Sequence, residues 1–464
     1  MVTVHVEIVE TSELGDRSYI AHDGATAVVI DPQRDLDRVE AVLADKGLTC
    51  VVVLETHVHN DYVTGGYELA RRTGARYVLS AADEVDFDRH PVHDGDEVIA
   101  GRLRIRVVAT PGHTDTHLAY LIDTPQDAPH EPLAVFTGGS LLYGSVGRTD
   151  LVDPARTEEL TRAQFRSARR LASLLDDDAR MFPTHGFGSF CSSGSTSGDE
   201  SSTLGRERAR NDALTETDED AFVARMVAGL TAYPRYYAHM DTRNRQGPGP
   251  ADLSAPGPVE PDELRKRIEA GEWAVDLRDR TAYAAEHVAG SIGIALGQQF
   301  CTYLGWLIPW GTPLTLIGDS AEQVSDAQRQ LVRIGIDRPA GAAVGPPSEL
   351  AAGDELGSYR RMTFADLAAQ RASDTGLVVL DVRRDDERAS GHLPGSVHVP
   401  LHSLLERLDE IPHAPLWVHC ASGFRASIAA SLLDRAGHDV VLIDDEYTDE
   451  YTTETHHWPL RAHQ

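Results

Sequence analysis

The sequence predicts a multidomain protein of mixed α/β and α+β class. Its 464 residues suffice for about three domains, each with a buried core. In the first half, short apolar strands alternate with amphipathic helices, which is typical of layered α/β domains. In the second half, one segment repeats itself further along the chain. Length, alternation and repeat together favour one large domain followed by two smaller ones.

Charge, hydropathy and cysteine spacing argue against several kinds of partner and cellular location. The chain has 43 Lys and Arg against 73 Asp and Glu, a formal charge of −30, which argues against nucleic-acid and anionic-membrane partners. No apolar run reaches the length of a membrane span, and the N-terminus lacks the pattern of a signal peptide. Widely spaced cysteines without a CxxC pair predict neither a disulfide framework nor a thiolate zinc finger: Cys50, Cys191, Cys301 and Cys420. We expect a cytoplasmic protein, and a homo-oligomer is compatible with the sequence.

The first domain is expected to span residues 1–245. Period-two alternation or short apolar runs predict strands, and wider apolar spacing predicts helices. The predicted strands are Met1–Glu10, Ala27–Asp31, Cys50–Leu54, Leu103–Val108 and Ala134–Phe136, and the predicted helices are Gly66–Arg72 and Glu158–Leu175. A loop is expected over Ser192–Ser202. Residues 246–258 contain too many glycines and prolines for a helix or an interior strand and form the predicted linker.

Two copies of one unit follow the linker, over residues 259–350 and 358–464. Each copy has an apolar strand ending in Asp-x-Arg, a charged segment, a His-x-x-Gly-Ser turn and a further strand. One constant offset pairs Asp276 with Asp381, Arg278 with Arg383, His287 with His392, Gly290 with Gly395, and Ser291 with Ser396. Such agreement in a single register indicates a duplicated α/β module.

A His-x-His-x-Asp cluster follows the predicted strand Cys50–Leu54. Imidazoles two residues apart on a loop can face one ion, and a nearby carboxylate can bind a second site or orient a water. Two further histidines stand at strand ends, in Pro-Gly-His-Thr and Pro-Thr-His-Gly. The candidate metal ligands are His57, His59, Asp61, His113 and His185.

These residues, with Phe136-Thr-Gly138 and Gly147-Arg-Thr-Asp150, resemble the metallo-β-lactamase fold in its glyoxalase II and persulfide dioxygenase branch. The resemblance implies a four-layered αββα sandwich with the ligands on loops at one edge of two sheets. It also implies, in the persulfide dioxygenases, an iron held by two histidines and one carboxylate. His57 and His113 match those two histidines.

The sequence departs from the family at two positions. Tyr62 replaces the histidine that usually ends His-x-His-x-Asp-His, which removes a ligand of a second metal, and Gly139 stands where the acidic ligand is expected. Three interpretations stay open. A three-histidine site of His57, His59 and His113 could bind one Fe(II), which we favour, or Zn(II). Asp61 could supply the missing carboxylate, or the site could be vestigial.

The last copy contains a candidate nucleophile, Cys420. It lies between an apolar strand and a predicted helix, in a loop of small residues whose backbone N–H groups would stabilise a sulfur anion. Gly423 permits tight curvature, and Arg425 adds a positive charge. The loop residues expected to bind substrate are Ala421, Ser422, Gly423 and Phe424.

This segment resembles a rhodanese domain, a family in which the loop cysteine carries sulfane sulfur as a persulfide. Four residues separate Cys420 from Arg425, one fewer than in related cysteine phosphatases, which favours sulfur over phosphate. The first copy has Gly318 where the cysteine should be, so it resembles an inactive rhodanese module and is expected to act as a spacer. Cys301 precedes that strand in an apolar segment and is expected to be structural.

The order of the three regions resembles persulfide dioxygenase–sulfurtransferase fusion proteins of bacteria. That resemblance implies sulfide detoxification. A low-molecular-weight persulfide would be oxidised to sulfite in the first domain, and Cys420 would exchange sulfur with thiols, thiosulfate or sulfite. Two alternatives stay open: a glyoxalase II-like thioester hydrolase, and a sulfurtransferase or sulfur carrier whose first domain is a non-catalytic scaffold.

Overall fold

The computed structural model describes residues 4–124, 133–193, 199–373 and 376–448. The chain divides into two compact units, residues 1–252 with 331–337, and residues 253–330 with 338–464. The first division lies within the predicted linker, and both repeated copies fall in the second unit except for residues 331–337 of the first copy. The finer domain limits given above stay predictions. No helix in the described part of the chain is long and apolar enough to cross a membrane.

Two six-stranded sheets form the centre of the first unit. The first sheet is antiparallel from β1 to β3 and parallel from β3 to β6, in the order β1-β2-β3-β4-β5-β6. Its strands are β1 His5–Thr11, β2 Asp16–His22, β3 Thr26–Ile30, β4 Thr49–Leu54, β5 Arg76–Ser80 and β6 His90–Val92. The predicted strands Ala27–Asp31 and Cys50–Leu54 are confirmed within one residue. Residues 1–3 of the predicted first strand lie outside the described residues.

The second sheet has the order β12-β11-β10-β9-β8-β7, antiparallel except for the parallel pair β10–β11. Its strands are β7 Glu97–Ala100, β8 Leu103–Ala109, β9 Leu118–Asp123, β10 Ala134–Gly138, β11 Arg180–Pro183 and β12 Ser202–Thr203. The inner faces of the two sheets bury one continuous aliphatic and aromatic core. β12 begins at the last residue of the predicted loop, of which residues 194–198 lie outside the described residues.

Helices cover both outer faces and complete the expected αββα order. A core beneath the first sheet includes residues of α1 Asp37–Asp45 and α2 Gly66–Thr73. A core on the second sheet includes residues of α3 Thr157–Ser173, α4 Leu204–Arg210, α5 Asp212–Thr215 and α6 Glu219–Ala228. A 3-10 turn at Pro154–Arg156 precedes α3, and α7 Tyr237–Arg245 ends the unit. The two predicted helices correspond to α2 and α3, with ends that agree within two residues. The buried residues of α3 recur at helical spacing, as the apolar pattern predicts.

The first repeated copy has a parallel sheet in the order β15-β13-β16-β17. Its elements are α8 Pro261–Glu269, β13 Trp273–Asp276, α9 Arg280–Ala285, β14 His287–Val288, β15 Ile292–Gly293, α10 Phe300–Leu307, β16 Leu314–Gly318, α11 Ala321–Arg333, β17 Gly341–Val344, α12 Pro347–Leu350 and β18 Leu356–Gly357. The short strands β14 and β18 form a separate antiparallel pair.

The second copy has an all-parallel sheet in the order β19-β23-β22-β20-β21. Its elements are β19 Arg360–Met362, α13 Phe364–Ser373, β20 Val378–Asp381, α14 Asp385–Ala389, β21 Val397–His398, β22 Leu416–His419, α15 Phe424–Arg435 and β23 Val440–Ile443, with 3-10 turns at Leu401–Glu406 and Leu408–Glu410. The inner strands β20, β22 and β23 are largely buried, which explains the continuous apolar runs in this half of the sequence.

The duplication seen in the sequence is also a duplication of contacts. Arg278 Nη2 donates to Asp276 Oδ2 over 2.7 Å and to the Glu286 carbonyl over 2.9 Å. In the second copy, Arg383 Nη2 donates to Asp381 Oδ2 over 2.7 Å and to the Gly391 carbonyl over 2.8 Å. Each Asp-x-Arg motif therefore fastens the end of its central strand to the segment that follows.

Candidate functional site

The predicted metal ligands converge where strands of both sheets end. His57, His59 and Asp61 follow β4, His113 follows β8, and His185 follows β11. All five side chains are buried. Their gathering follows from topology, because the loops that leave neighbouring strands meet at one sheet edge.

The ligand atoms of His57, His59 and His185 lie within 4.8 Å of one another. This group contains His185 rather than the predicted His113. His185 also forms a group with Asp16 and Asp61, and another with His113 and Cys191. The five predicted residues therefore share one buried centre, in which His185 belongs to three of the four candidate groups.

Hydrogen bonds orient the rings and leave particular atoms without a partner. His113 Nδ1 contacts the Arg148 carbonyl over 2.7 Å, and His185 Nδ1 contacts Asp16 Oδ1 over 2.9 Å. Buried His59 Nδ1, His113 Nε2 and Asp61 Oδ1 have no hydrogen-bond partner among the described atoms. Such a set of unpartnered imidazole and carboxylate atoms fits a divalent cation.

Charges around His59 fix which of its nitrogens would face a cation. His59 Nε2 lies 3.3 Å from Asp31 Oδ1 and 3.2 Å from Glu55 Oε2. Burial acts to lower the pKa of His59, but these two carboxyl groups raise it to about 9. A proton held on Nε2 leaves Nδ1 for a metal, which would replace the second proton of the ring.

The pKa values of the other titratable groups in this centre are also shifted by burial and by neighbouring charges. Burial among other histidines lowers the pKa of His57 far below its usual range, and burial lowers that of His113 to about 3. Burial, then the neighbouring Asp61 carboxylate, raises the pKa of Asp16 to about 8. His57 and His113 are therefore neutral at pH 7, the protonation state in which imidazole binds metal.

Tyr62 has a definite role at the position where the resembled family has a further histidine. Its hydroxyl lies 3.0 Å from His59 Nε2 and donates to the Asp31 carbonyl over 3.3 Å. Its ring stacks on the His59 ring with centroids 4.3 Å apart. Tyr62 therefore fixes the orientation of the His59 ring by stacking and by the contact with Nε2, and it offers no imidazole to a second metal.

The space around Gly139, where the resembled family has an acidic ligand, is filled by the His113 ring. A Cβ atom at this position would lie 2.3 Å from His113 Cδ2, so the His113 ring occupies the space that a side chain would need. The Gly139 N–H donates to His117 Nε2 over 2.9 Å. No acidic side chain can be added here unless His113 moves.

Some residues of the centre carried no sequence signal. Asp16 stands at the start of β2 in an ordinary strand, and Cys191 lies in a Ser- and Gly-rich segment. His117 follows His113 by four residues, and both its ring nitrogens are engaged, with Thr110 and Gly139. Only the fold brings Asp16 and Cys191 to the histidines.

A pocket of about 390 Å³ lies beside this centre in the first unit. Its lining includes Val58 and Asn60, which alternate with the candidate histidines, and Thr114, which follows His113. Tyr237 and Arg245 of α7 line the same pocket. A small molecule could approach the ligand loops through this pocket.

In the second unit, Cys420 lies between β22 and α15, as predicted. The thiol residue is buried, and Gly423 adopts a left-handed φ of 87°. No described acceptor takes a hydrogen bond from the backbone N–H groups of residues 421–426, and no side chain caps α15. These N–H groups are available to an anion at the helix N-terminus.

Arg425 is not a free cation. Its Nη2 donates to Glu387 Oε1 over 2.7 Å, and Nη1 contacts the second carboxylate oxygen. Burial acts to raise the pKa of Glu387, but the Arg425 guanidinium holds it below its usual range. The expected positive charge is therefore present but paired, so the backbone carries more of the interaction with an anion.

Comparison with known proteins agrees with this architecture. Residues 364–449 match the family model described as a rhodanese-like domain. A crystal structure of a metallo-β-lactamase from Staphylococcus aureus subsp. aureus COL is 27% identical, with a TM-score of 0.66, and the match covers 74% of this chain and 100% of that chain. The first unit has the metallo-β-lactamase fold.

Curated relatives match parts of the metallo-β-lactamase region. The mitochondrial persulfide dioxygenase of Homo sapiens is 28% identical over 209 residues, which cover 45% of this chain and 72% of that protein. A hydroxyacylglutathione hydrolase of Synechococcus sp. (strain CC9605) is 36% identical over 128 residues, 27% of this chain and 51% of that protein. The chain thus spans between about half and three quarters of the length of these relatives.

Proposed function

We propose that this protein is a sulfur-metabolism enzyme with two centres, a persulfide dioxygenase centre in the metallo-β-lactamase region and a sulfurtransferase centre at Cys420. The observation that carries the proposal is the Cys420 loop, with its uncommitted backbone N–H groups inside a rhodanese-like domain. Similarity to a persulfide dioxygenase supports the first half.

At Cys420, the thiolate attacks the sulfane sulfur of a persulfide or of thiosulfate. A bond forms between Cys420 Sγ and that sulfur, the original S–S bond breaks, and the thiolate or sulfite leaves with the electron pair. The N–H groups of residues 421–426 stabilise the resulting persulfide anion. An acceptor thiolate or sulfite then attacks the outer sulfur and restores the Cys420 thiolate.

In the first unit, His57, His59 and His185 would hold one metal ion, with His113 and Asp61 adjacent. When bound, Fe(II) supplies redox chemistry toward oxygen, whereas Zn(II) supplies only Lewis-acid chemistry. Overall, a persulfide, oxygen and water would give a thiol, sulfite and two protons. Sulfite from this reaction is also an acceptor for the sulfur on Cys420.

The chain's own residues prepare this centre for an anionic sulfur substrate. Asp31 and Glu55 hold a proton on His59 Nε2, and Asp16 bonds His185 Nδ1, so the rings are fixed before substrate arrives. The neighbouring pocket carries Asn60, whose side chain can bind the polar end of a small thiol, and Arg245, which is paired with Asp241. Burial of the histidines excludes bulk water from the reacting atoms.

The test measures metal content and two activities on the full chain. We expect close to one iron per chain, oxygen uptake with glutathione persulfide, and loss of both in His57→Ala. Cys420→Ser should keep oxygen uptake and lose sulfur transfer. Metal content below about a tenth of an equivalent, after growth with added iron, would contradict the dioxygenase half and favour the scaffold alternative.

A thioester hydrolase is the second candidate, because hydroxyacylglutathione hydrolases also match this region. Tyr62 and Gly139 count against it, since neither offers a ligand to a second metal. Hydrolysis of a hydroxyacylglutathione without oxygen uptake would support this candidate over the dioxygenase.

A further inference from the structure

The first copy, which has Gly318 in place of the loop cysteine, contributes an aromatic side chain to the Cys420 loop. Tyr303 lies on α10 of the first copy, and its ring packs edge-to-face against Phe424, with centroids 5.6 Å apart. Phe424 is the last residue between Cys420 and Arg425 and begins α15. Tyr303, a residue of the first copy, therefore lies beside a loop of the second copy.

The Tyr303 ring is fixed by neighbours within the second unit. Trp306 stacks on Tyr303 with centroids 5.8 Å apart, and His402 of the second copy stacks on Trp306 at 5.3 Å. A second contact between the copies lies at the loop itself: Arg280 bonds Asp444 over 2.7 Å, and Asp444 packs directly on Gly423. The two copies are thus joined on two sides of the loop.

Charged groups at the Cys420 loop and beside it act on the Tyr303 hydroxyl. Burial raises the pKa of Tyr303, Arg425 and Arg384 lower it, and Cys420 and Glu387 raise it. The side chain is only 6% exposed, yet its hydroxyl has no hydrogen-bond partner within the part of the chain that the structure describes. A nearly buried donor without a partner is available to a bound molecule.

The nearby cations are already engaged. Arg425 pairs with Glu387, and Arg384 Nε donates to Asp386 over 3.0 Å. An anionic donor that reaches this loop, in a chain of net charge −30, must therefore be bound largely by neutral donors. The loop N–H groups serve the sulfur end, which leaves the other end of the donor to Tyr303.

We propose that Tyr303 is a positioning residue of the Cys420 centre, whose hydroxyl donates a hydrogen bond to the sulfonate end of a thiosulfate-class donor. The inference rests on the proposed sulfurtransferase function. In the step concerned, the Cys420 thiolate bonds the outer sulfur of thiosulfate, the S–S bond breaks, and sulfite leaves with the electron pair. Tyr303 holds the oxygens on which this charge remains.

Tyr303→Phe tests the proposal, because it removes the hydroxyl and keeps the ring against Phe424 and Trp306. We expect KM for thiosulfate to rise about tenfold with kcat changed less than about twofold. With the persulfide of 2-mercaptoethanol, which has no sulfonate, both constants should stay within about twofold of wild type. Tyr359→Phe is the matched control, since it removes a phenol hydroxyl beside His287 in the same unit.

Binding supplies a second measurement that does not depend on turnover. In the Cys420→Ser background, calorimetric Kd for thiosulfate should rise about tenfold when Tyr303→Phe is added. An unchanged thiosulfate KM and Kd would overturn the role of Tyr303. Equal losses with both donors, together with a lower unfolding midpoint, would also overturn it and assign a structural role. If the wild-type chain transfers sulfur from neither donor, the proposed function itself is wrong.

Discussion

The two repeated copies of the second unit share a scaffold and differ at one connection. Each has a parallel sheet and an Asp-x-Arg pair bonded in the same way. In the first copy, the segment after β16 is closed on itself: Gln323 Oε1 accepts from the Asp319 N–H over 2.8 Å, and Ser320 Oγ accepts from the Gln323 N–H over 3.2 Å. In the second copy, the N–H groups of residues 421–426 have no such partner among the residues that the structure describes.

This difference teaches that the fold alone does not produce the chemistry. A strand-to-helix connection becomes an anion site only when it is long enough to curve and when its N–H groups are not taken by the protein's own side chains. The first copy lacks the thiol and has also filled the place of the anion. Its remaining contribution is to the neighbouring loop, through Tyr303.

The largest expected effect is at the proposed nucleophile. Cys420→Ser should reduce thiosulfate-to-thiol sulfur transfer to the uncatalysed background, because a serine hydroxyl is not ionised at neutral pH and cannot form a persulfide. The measurement is sulfite release with an excess of thiol acceptor. Cys50→Ser is the control, a buried thiol of the first unit that should leave transfer unchanged. Transfer that survives in Cys420→Ser would refute the assignment.

The shared Asp-x-Arg pairs should matter equally in both copies. Asp276→Asn and Asp381→Asn each leave a buried guanidinium without its carboxylate, so each should destabilise the second unit by about 3 kcal/mol. Urea unfolding followed by tryptophan fluorescence measures this, because all five tryptophans follow residue 252. A loss confined to one copy would show that the two scaffolds are not energetically equivalent.

Acid should destabilise the second copy through His419, which stands at the strand position of Ile317 in the first. Burial lowers the pKa of His419 from 6.5 to about 4. Below pH 6.5 the unfolded chain binds a proton that the folded chain does not, so stability falls between pH 6.5 and about 4, by about 3 kcal/mol. Urea midpoints across this range, compared with those of His419→Gln, provide the measurement. An equal acid dependence in both proteins would exclude His419 as the cause.

Gly423→Ala should distort the loop without removing any functional group. An added Cβ would lie 2.3 Å from Asp444 Oδ1, at a left-handed φ of 87°. We expect about 2 kcal/mol of destabilisation and about a tenfold loss of transfer. Gly437→Ala is a matched control, since its φ is 84° with open space around the Cβ. Similar results for both variants would assign the effect to φ alone.

The smallest expected effect is a restored cysteine in the first copy. Gly318→Cys in the Cys420→Ser background should give no transfer, because Gln323 already accepts from the following N–H. Sulfite release is again the readout, and labelling with a thiol reagent under denaturing conditions confirms that the new cysteine is present. Recovery of transfer would show that the thiol alone separates the copies.

Much of this organisation could be predicted from the sequence. Strand ends with histidines at characteristic spacing, the Cys420 loop and the duplicated Asp-x-Arg motif are local patterns, and the structure contains each of them. The four-layer order followed from the resemblance and is confirmed by the two packed sheets with helices outside.

Contacts between distant segments could not be predicted in this way. Asp16 bonds His185 across 169 positions of the chain, Glu387 pairs with Arg425 from a different helix, and Tyr303 reaches Phe424 from another copy. Asp16, Glu387 and Tyr303 stand in no motif, and only tertiary packing brings them to their partners. The Arg425 charge was therefore foreseen, while the carboxylate that pairs with it was not.

The most direct test of the account is the mass of the protein after exposure to thiosulfate without an acceptor. Peptide mass analysis under non-reducing conditions should find one added sulfur atom, on the peptide that contains Cys420, and none on peptides with Cys50, Cys191 or Cys301. Tyr303→Phe should raise the thiosulfate concentration needed for this loading and leave the sulfur on the same peptide. An added sulfur on another cysteine, with Cys420 unmodified, would contradict the account.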